Sequence, residues 1–416
     1  MNEMQSAVVA AYGRHPVEPA INPCVESRSE ALPGARIAVY SDLAVVETLW
    51  RNFERRAVCS VFQNIDYLRA WHRHIGMRLQ MRPAIVVIEQ NEVQAILPLA
   101  IYGRGSLCRL SWLGQDLSDY IAPLFSPEFA RIEHSRFRAL WHEIGNLLQS
   151  DRRFRHHWVE LRKMPSRVEV HANPLAALNA IHHPSPSHVA TLTDDWETYY
   201  REHRSAKARK QDRSKLTRLS ELGDVRLYEP TEPTDIVRTL NTLLAQKADA
   251  LQRKGIADLF ERPGYCEFFL ELAGNPRLRD IFHLSALAVG PTLAAVNLGM
   301  EYKGRYSLFL VSYDRSFARH SPGVIHLNKL LQRAIGRRLK EFDFLVGEQR
   351  LKLEWADGEI ELYDHIAAST IPGIVPALLA RVFTHAKRVV KQTPWLWRAF
   401  QHLRAAAGML RRGRKG

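Results

Sequence analysis

No acidic residue follows Asp364, and that absence organises the charge of the chain. The formal net charge is +14, and ten positive charges lie between Arg381 and Lys415, which leaves about +4 for everything before them. A charge confined to an appendage argues against nucleic-acid binding by the whole protein. Cysteine is scarce: Cys24, Cys59, Cys108 and Cys266 lie far apart and make no C-x-x-C pair. A disulfide framework and a structural zinc are thereby disfavoured, no metal is expected, and a reducing compartment fits best. Long apolar runs are missing too. The nearest, from Leu284 to Met300, is broken by Gly290-Pro291 and reads as two strands and a turn, not a membrane span. No basic segment followed by an apolar stretch opens the chain, so no signal peptide is expected and a cytoplasmic protein is. A G-x-S-x-G elbow and a Ser-His-Asp spacing are both lacking, which disfavours a covalent serine route. The pairs His156-His157 and His182-His183 lack ligand companions at helical spacing and read as surface residues.

What is present is an ordinary globular mixture long enough for two domains. Residues 1–36 are rich in Pro, Ser and Glu and read as a disordered arm. From Ile37 the pattern runs strand, helices, hairpin (Ala84–Ile88 and Val93–Tyr102), strand (Leu107–Leu113), helix (Phe137–Leu148), strand (Trp158–Leu161). The same order returns later. Asp235–Lys254 is a helix with Leu240, Leu243, Leu244, Ala248 and Leu251 on one stripe. A hairpin turns at Gly290-Pro291, Tyr306–Tyr313 is a strand, Val324–Leu339 a helix and Glu341–Leu345 a final strand. This predicts an α/β (α+β) protein of two halves, 37–190 and 191–370, each a mixed central sheet flanked by helices. A basic helical tail, 371–416, follows.

The chemistry concentrates between Tyr306 and Trp355. A strand leads to Ser321-Pro322-Gly323, where Ser at the N-cap and Pro at the first helical position start a helix. Free N–H groups at such a junction favour a phosphate, although an ordinary capped helix would read the same way. Asp343 lies inside an otherwise apolar strand and must find a partner or stay near water. Lys352 could supply it in a structural salt bridge, or could meet an anionic substrate group.

These residues carry a resemblance. Ser321-Pro322-Gly323, Phe342-Asp343-Phe344, Gly347, Lys352 and Trp355 occur in the order of the GNAT-like acetyltransferases associated with bacterial cellulose biosynthesis (CelD/BcsL type). Leu97-Pro98-Leu99, Leu113-Gly114 with Ser118-Asp119-Tyr120, and a basic helix before Leu222-Gly223 are similar to that family as well. The likeness spans about residues 40 to 370. Leu351 stands where the family usually has tyrosine, Gln349 where it often has an acid, and the R/Q-x-x-G-x-G/A loop of ordinary GNAT enzymes is missing. The resemblance implies two tandem GNAT-like halves and an N- or O-acyltransferase taking acetyl-CoA or another acyl-CoA as co-substrate. It places the reaction in a cell-envelope or exopolysaccharide pathway, with a small-molecule or glycan acceptor. Related Fem-type double-GNAT proteins use aminoacyl-tRNA, and the basic helix from Arg201 to Arg218 keeps that donor open, although a solvated basic face would read the same way. A non-catalytic accessory role in a polysaccharide synthase is a third reading. On this basis Asp119, Asp343, Lys352 and Glu348 are the catalytic candidates. Ser321, Pro322, Gly323 and His320 are assigned to the donor pocket, and Tyr120, Arg209, Arg213 and Trp355 to substrate binding. Asp119 can take part only if the cleft lies between the halves.

The tail predicts two basic amphipathic helices over about 376–412, the second restarting at Thr393-Pro394. Apolar residues from Leu378 to Val390 recur at helical spacing with basic residues off the stripe. Such helices lie on the inner face of an anionic membrane, or pack on the protein's own body.

Overall fold

The computed structural model describes residues 22–103, 107–347, 350–393 and 395–400. Glu348, Gln349, Pro394 and the tail beyond Phe400 lie outside the described residues. In chain order the first half comprises β1 (Val25–Arg28), β2 (Arg36–Tyr40), α1 (Glu47–Glu54), α2 (Ile65–Trp71), β3 (Arg82–Gln90), β4 (Glu92–Tyr102), β5 (Arg109–Trp112) and β6 (Leu124–Phe125). Then come α3 (His134–Ser150), β7 (Trp158–Pro165), a small hairpin of β8 (Arg167–Val168) and β9 (His171–Ala172), and β10 (Ile181–His182). The second half follows with β11 (Ser187–Thr191), α4 (Trp196–His203), α5 (Ala206–Ser220), β12 (Val225–Tyr228), α6 (Pro233–Arg253), α7 (Tyr265–Gly274), β13 (Phe282–Val289), β14 (Thr292–Tyr302) and β15 (Arg305–Tyr313). It continues through α8 (Pro322–Gly336), β16 (Glu341–Val346), α9 (Arg350–Leu353), β17 (Gly358–Ile360), β18 (Leu362–Ala368) and α10 (Ile374–Gln392).

One plan is used twice. In each half a long antiparallel hairpin is followed by a strand, a helix, and a strand that returns parallel to the previous one: β3–β4, β5, α3, β7, and β13–β14, β15, α8, β16. The helix is what allows the parallel return. One segment lies at the junction of the halves and one crosses between them. β11 pairs antiparallel with β16 in the second sheet, and β18 pairs antiparallel with β7 in the first. The expected boundary at 190 therefore cuts through β11, and β18, expected in the second half, completes the sheet of the first. The segment read as a disordered arm is also ordered from Pro23 on, because β1 adds an edge strand to β2. Nor are all the histidines on the surface. His156 is buried, and Nδ1 of His183 lies 2.9 Å from buried Asp364.

The halves share a core. Tyr67 of α2 packs edge-on against Phe268 of α7 and stacks over Phe282 of β13. Gly264, with φ +93°, lets the two bodies touch: a Cβ there would stand 2.0 Å from the carbonyl oxygen of His74. The seam is closed on this side, and the site opens on another.

Candidate active site

The parallel pairing of β15 with β16 lasts only three residue pairs: Arg305 with Glu341, Tyr306 with Phe342, Ser307 with Asp343. Beyond them β15 stays on β14, and β16 continues on β11 through an irregularity near Leu345, whose φ is +59°. Among the described residues, the edge of β15 turned toward β16 is left without a strand partner from Leu308 onward. A cavity of about 640 Å³ fills this wedge, with Leu308, Phe309, Val311 and Ser312 on one wall and Phe344 and Val346 on the other. An apolar slot bordered by unpaired main chain suits an extended ligand that borrows those hydrogen-bonding groups.

The N-terminus of α8 meets the same cavity through Ser321, Pro322, Gly323 and Val324. Ser321 holds the N-cap position in left-handed conformation, φ +52°, and its side chain makes no capping hydrogen bond. The expectation of a serine-capped start is corrected in this respect. Pro322 carries no N–H and Val324 donates to the Ser321 carbonyl at 3.0 Å, and no side chain among the described residues caps the Gly323 N–H, an arrangement that favours an anion. Strain in a non-glycine residue at such a position is of order 1–3 kcal/mol.

Four charged side chains, Asp119, Lys247, Lys254 and Lys352, complete the lining. Asp119 comes from the first half, at the end of a turn fixed by Gly114 (φ +81°), whose carbonyl accepts from Leu117 and Ser118. Tyr67 clamps that turn with a 3.0 Å bond to the Leu117 carbonyl. The Asp119 side chain keeps 32% exposure and stands 3.9 Å from Lys163. Burial raises its pKa; Lys163, Lys352 and a main-chain hydrogen bond at Val346 oppose the rise, and Asp343 adds to it. Lys352 projects from α9, and its ammonium donates to the carbonyls of Leu345 (3.4 Å) and Val346 (3.2 Å). Burial lowers its pKa against the pull of Asp119 and Asp343. Lys247 of α6 donates to the Val311 carbonyl at 3.1 Å, and burial, then Lys254 and Lys352, bring its pKa down to about 8. The cavity thus joins an acid that resists ionisation to two lysines that resist protonation.

Of the sequence-derived candidates, Asp119, Lys352, Ser321, Pro322 and Gly323 share this cavity. Glu348 lies outside the described residues, and the remaining candidates do not line it. Asp343 is fully buried behind the wall, accepting from Tyr120, from Ser187 (3.1 Å), from the Leu345 N–H (2.8 Å) and from Arg305 (3.4 Å). Its partner is therefore a tyrosine–arginine pair and not Lys352. Tyr120 is itself buried in this contact, and burial raises its pKa well above the ordinary phenol value. Trp355 is fully buried under Arg204 and stacked 5.9 Å from Tyr199, so its large apolar ring serves the core. His320 ends the short turn before Ser321 and is not among the residues that line the cavity. Arg209 spends its guanidinium on the carbonyls of Arg201 and Arg204, and Arg213 is exposed on α5.

Sequence reasoning missed Lys247 and His326. His326 is buried in α8, near Ser285, and burial brings its pKa down to about 3. The signal for Lys247 was available: it is a lysine between Leu243, Leu244 and Leu251 on the apolar stripe of α6. Its charge has a measurable cost. Folding lowers its pKa from 10.5 to about 8, so the unfolded chain binds more protons between those values. Stability tied to this group therefore rises as pH climbs through that window, and the whole penalty, roughly 3 kcal/mol, is present below it. Lys247→Met is expected to raise stability at neutral pH by about 1–3 kcal/mol and to flatten that alkaline dependence. Denaturant melts at pH 7 and pH 10 would refute this if both proteins changed alike.

Among the described residues no three His, Cys, Asp or Glu side chains cluster to hold a metal. Residues 206–353 match the family model Acetyltransf_6, described as an acetyltransferase (GNAT) domain. Every residue lining the cavity except Asp119 falls within that range. No curated protein matches the chain. A solved structure of FemX is similar over 78% of this chain and 94% of its own, at 9% identity and a TM-score of 0.51. The C-terminal domain of a putative lysylphosphatidylglycerol synthetase from Agrobacterium fabrum is similar over 81% and 95%, at 10% identity and a TM-score of 0.49. A tandem GNAT protein from the clavulanic acid biosynthesis pathway is similar over 80% and 98%, at 10% identity and a TM-score of 0.46. The fold is α/β with two tandem GNAT-like halves, and residues 206–353 form a domain of the acetyltransferase (GNAT) type.

Proposed function

We propose that the protein transfers an acyl group from an acyl-coenzyme A thioester, acetyl-CoA being the simplest, to an amine or hydroxyl acceptor. The observation that supports this most is the wedge between β15 and β16 opening onto the uncapped start of α8. A pantetheine arm can extend along the unpaired edge of β15 while its pyrophosphate meets the Gly323 N–H at the start of α8. In the transfer, the acceptor nitrogen or oxygen bonds to the thioester carbon as the C–S bond breaks. Asp119 takes the acceptor's proton, and the coenzyme leaves as a thiolate that regains a proton. The Lys247 and Lys352 ammoniums stabilise negative charge on the carbonyl oxygen and on sulfur. As the family resemblance implies, the acceptor belongs to cell-envelope or exopolysaccharide synthesis, including cellulose, in the cytoplasm.

Titration calorimetry with acetyl-CoA tests the reading. A Gly323→Glu variant places a carboxylate at the proposed pyrophosphate position, and a Cβ there meets no heavy atom within 4 Å. Binding is expected to weaken about tenfold or more, about 1.4 kcal/mol, with the melting temperature nearly unchanged. Absence of acetyl-CoA binding by the unmodified protein would sink the proposal. One observation favours a second donor: α5, which packs against α8, exposes Lys207, Lys210 and Arg213. Binding of an aminoacyl-tRNA without acetyl-CoA would select that reading, and binding of neither would select the accessory role.

A further inference from the structure

Helix α10 is amphipathic in the reverse sense. The face it turns to β18 and β7 is small and polar: Ala377 and Thr384 are buried, Arg381 donates to the Ile366 carbonyl at 3.4 Å, and Lys391 donates to Ser185 at 2.9 Å. Just before the helix, Gly373 presses so close that a Cβ would stand 1.7 Å from the carbonyl oxygen of His157. The outer face carries Ile374, Val375, Leu378, Leu379, Val382 and Phe383, each more than half exposed. Their spacing of three and four makes one continuous stripe. A surface helix ordinarily turns that stripe to the core. A contiguous apolar strip facing outward marks a contact with something else. The alternative that the stripe packs on the protein's own body is thereby set aside for these residues.

We propose that the outer face of α10 seats the protein on an anionic lipid bilayer, with the helix axis in the plane of the headgroups. Charge selects this occupant. The chain has no acid after Asp364 and ten Lys and Arg from Arg381 onward. The cations are crowded: Lys387 binds its proton less tightly through burial and through Lys391, Arg162 and Lys163. A second copy docked through the same stripe would bring two such sets together, whereas phosphate headgroups would neutralise them. Among the described residues no helix is long and apolar enough to cross a membrane, so α10 lies on the bilayer and does not span it. Trp395, 67% exposed just past the helix, suits the headgroup level. This inference does not depend on the acyl-transfer chemistry.

Co-sedimentation of the full chain with vesicles of phosphatidylcholine, with and without phosphatidylglycerol, tests it. Binding is expected to the anionic vesicles, weakening as salt is added, and to be much lower on phosphatidylcholine alone. The double variant Leu379→Glu/Phe383→Glu is expected to lose about tenfold or more of that binding while melting as before, since both positions are exposed. Should the variant fold poorly, brominated phosphatidylglycerol provides an independent measure, quenching more fluorescence in the unmodified protein than in Trp395→Phe. Failure to sediment with anionic vesicles, or equal binding by the double variant, overturns the proposal. So does a dimer that the double variant dissolves without any vesicle binding, which would assign the face to a second copy.

Discussion

Asp119→Asn is expected to lower kcat/KM by about 10²–10⁴-fold while leaving the fold and acetyl-CoA affinity nearly intact. The amide has almost the shape of the carboxylate, but it accepts no proton at any working pH. Asp119 comes from the first half and not from α8, where the donor is proposed to bind, so its loss should fall on turnover and acceptor use. The pH profile separates a base from a mere contact. Burial raises the Asp119 pKa above the ordinary carboxylate value. A base must be unprotonated to work, so the acidic limb of kcat/KM should lie higher in pH than a solvated aspartate would place it. In Asp119→Asn that limb should vanish from the residual activity. If the variant retained the limb at its original position, another group would be the base. If kcat/KM fell less than tenfold, Asp119 would be a wall of the cavity and nothing more.

Much of this site was legible because its parts are local. Ser321-Pro322-Gly323 announces a helix start from three adjacent residues, and the apolar strand before it announces the wall. The duplicated plan was legible too, since hairpins, stripes and crossover helices each leave a periodicity. What the sequence hid was long-range. Neither the parting of β15 from β16 after Ser307 nor the crossing of β18 to the first sheet leaves any mark in composition. Trp355 looked like a ligand contact because it closes the motif order of the resemblance, yet an indole between Tyr199 and Arg204 gains more from burial than from display. For α10 the stripe was visible but its direction was not, because periodicity gives the width of an apolar face and not what it faces. Lys247 was missed for the opposite reason: one lysine in a leucine stripe draws no notice until the stripe is seen to border a cavity.

Asp343 makes the same point from the side of stability. The sequence required that an acid within Phe342-Asp343-Phe344-Leu345 find a partner, and the partner it finds is Tyr120, 223 residues away in the other half. Arg305, the Ser187 hydroxyl and the Leu345 N–H complete the shell, and Arg305 is further held by Glu341. Asp343→Ala would leave a guanidinium, a phenol and an amide N–H buried without their acceptor. Removing one partner from such a group costs about 3–5 kcal/mol, because the remaining charge stays desolvated. Tyr120→Phe removes a single hydrogen bond to a charged group and should cost about 1.5–3 kcal/mol. The two losses should overlap, with a coupling of about 0.5–3 kcal/mol in a double-mutant cycle, since both remove the same bond across the seam. Denaturant unfolding of the two single variants and the double variant measures this directly. Asp343 lines no part of the cavity, so turnover per folded molecule should change far less in Asp343→Ala than in Asp119→Asn. An Asp343→Ala protein as stable as the original, but inactive, would return Asp343 to the chemistry and take the structural role away from it.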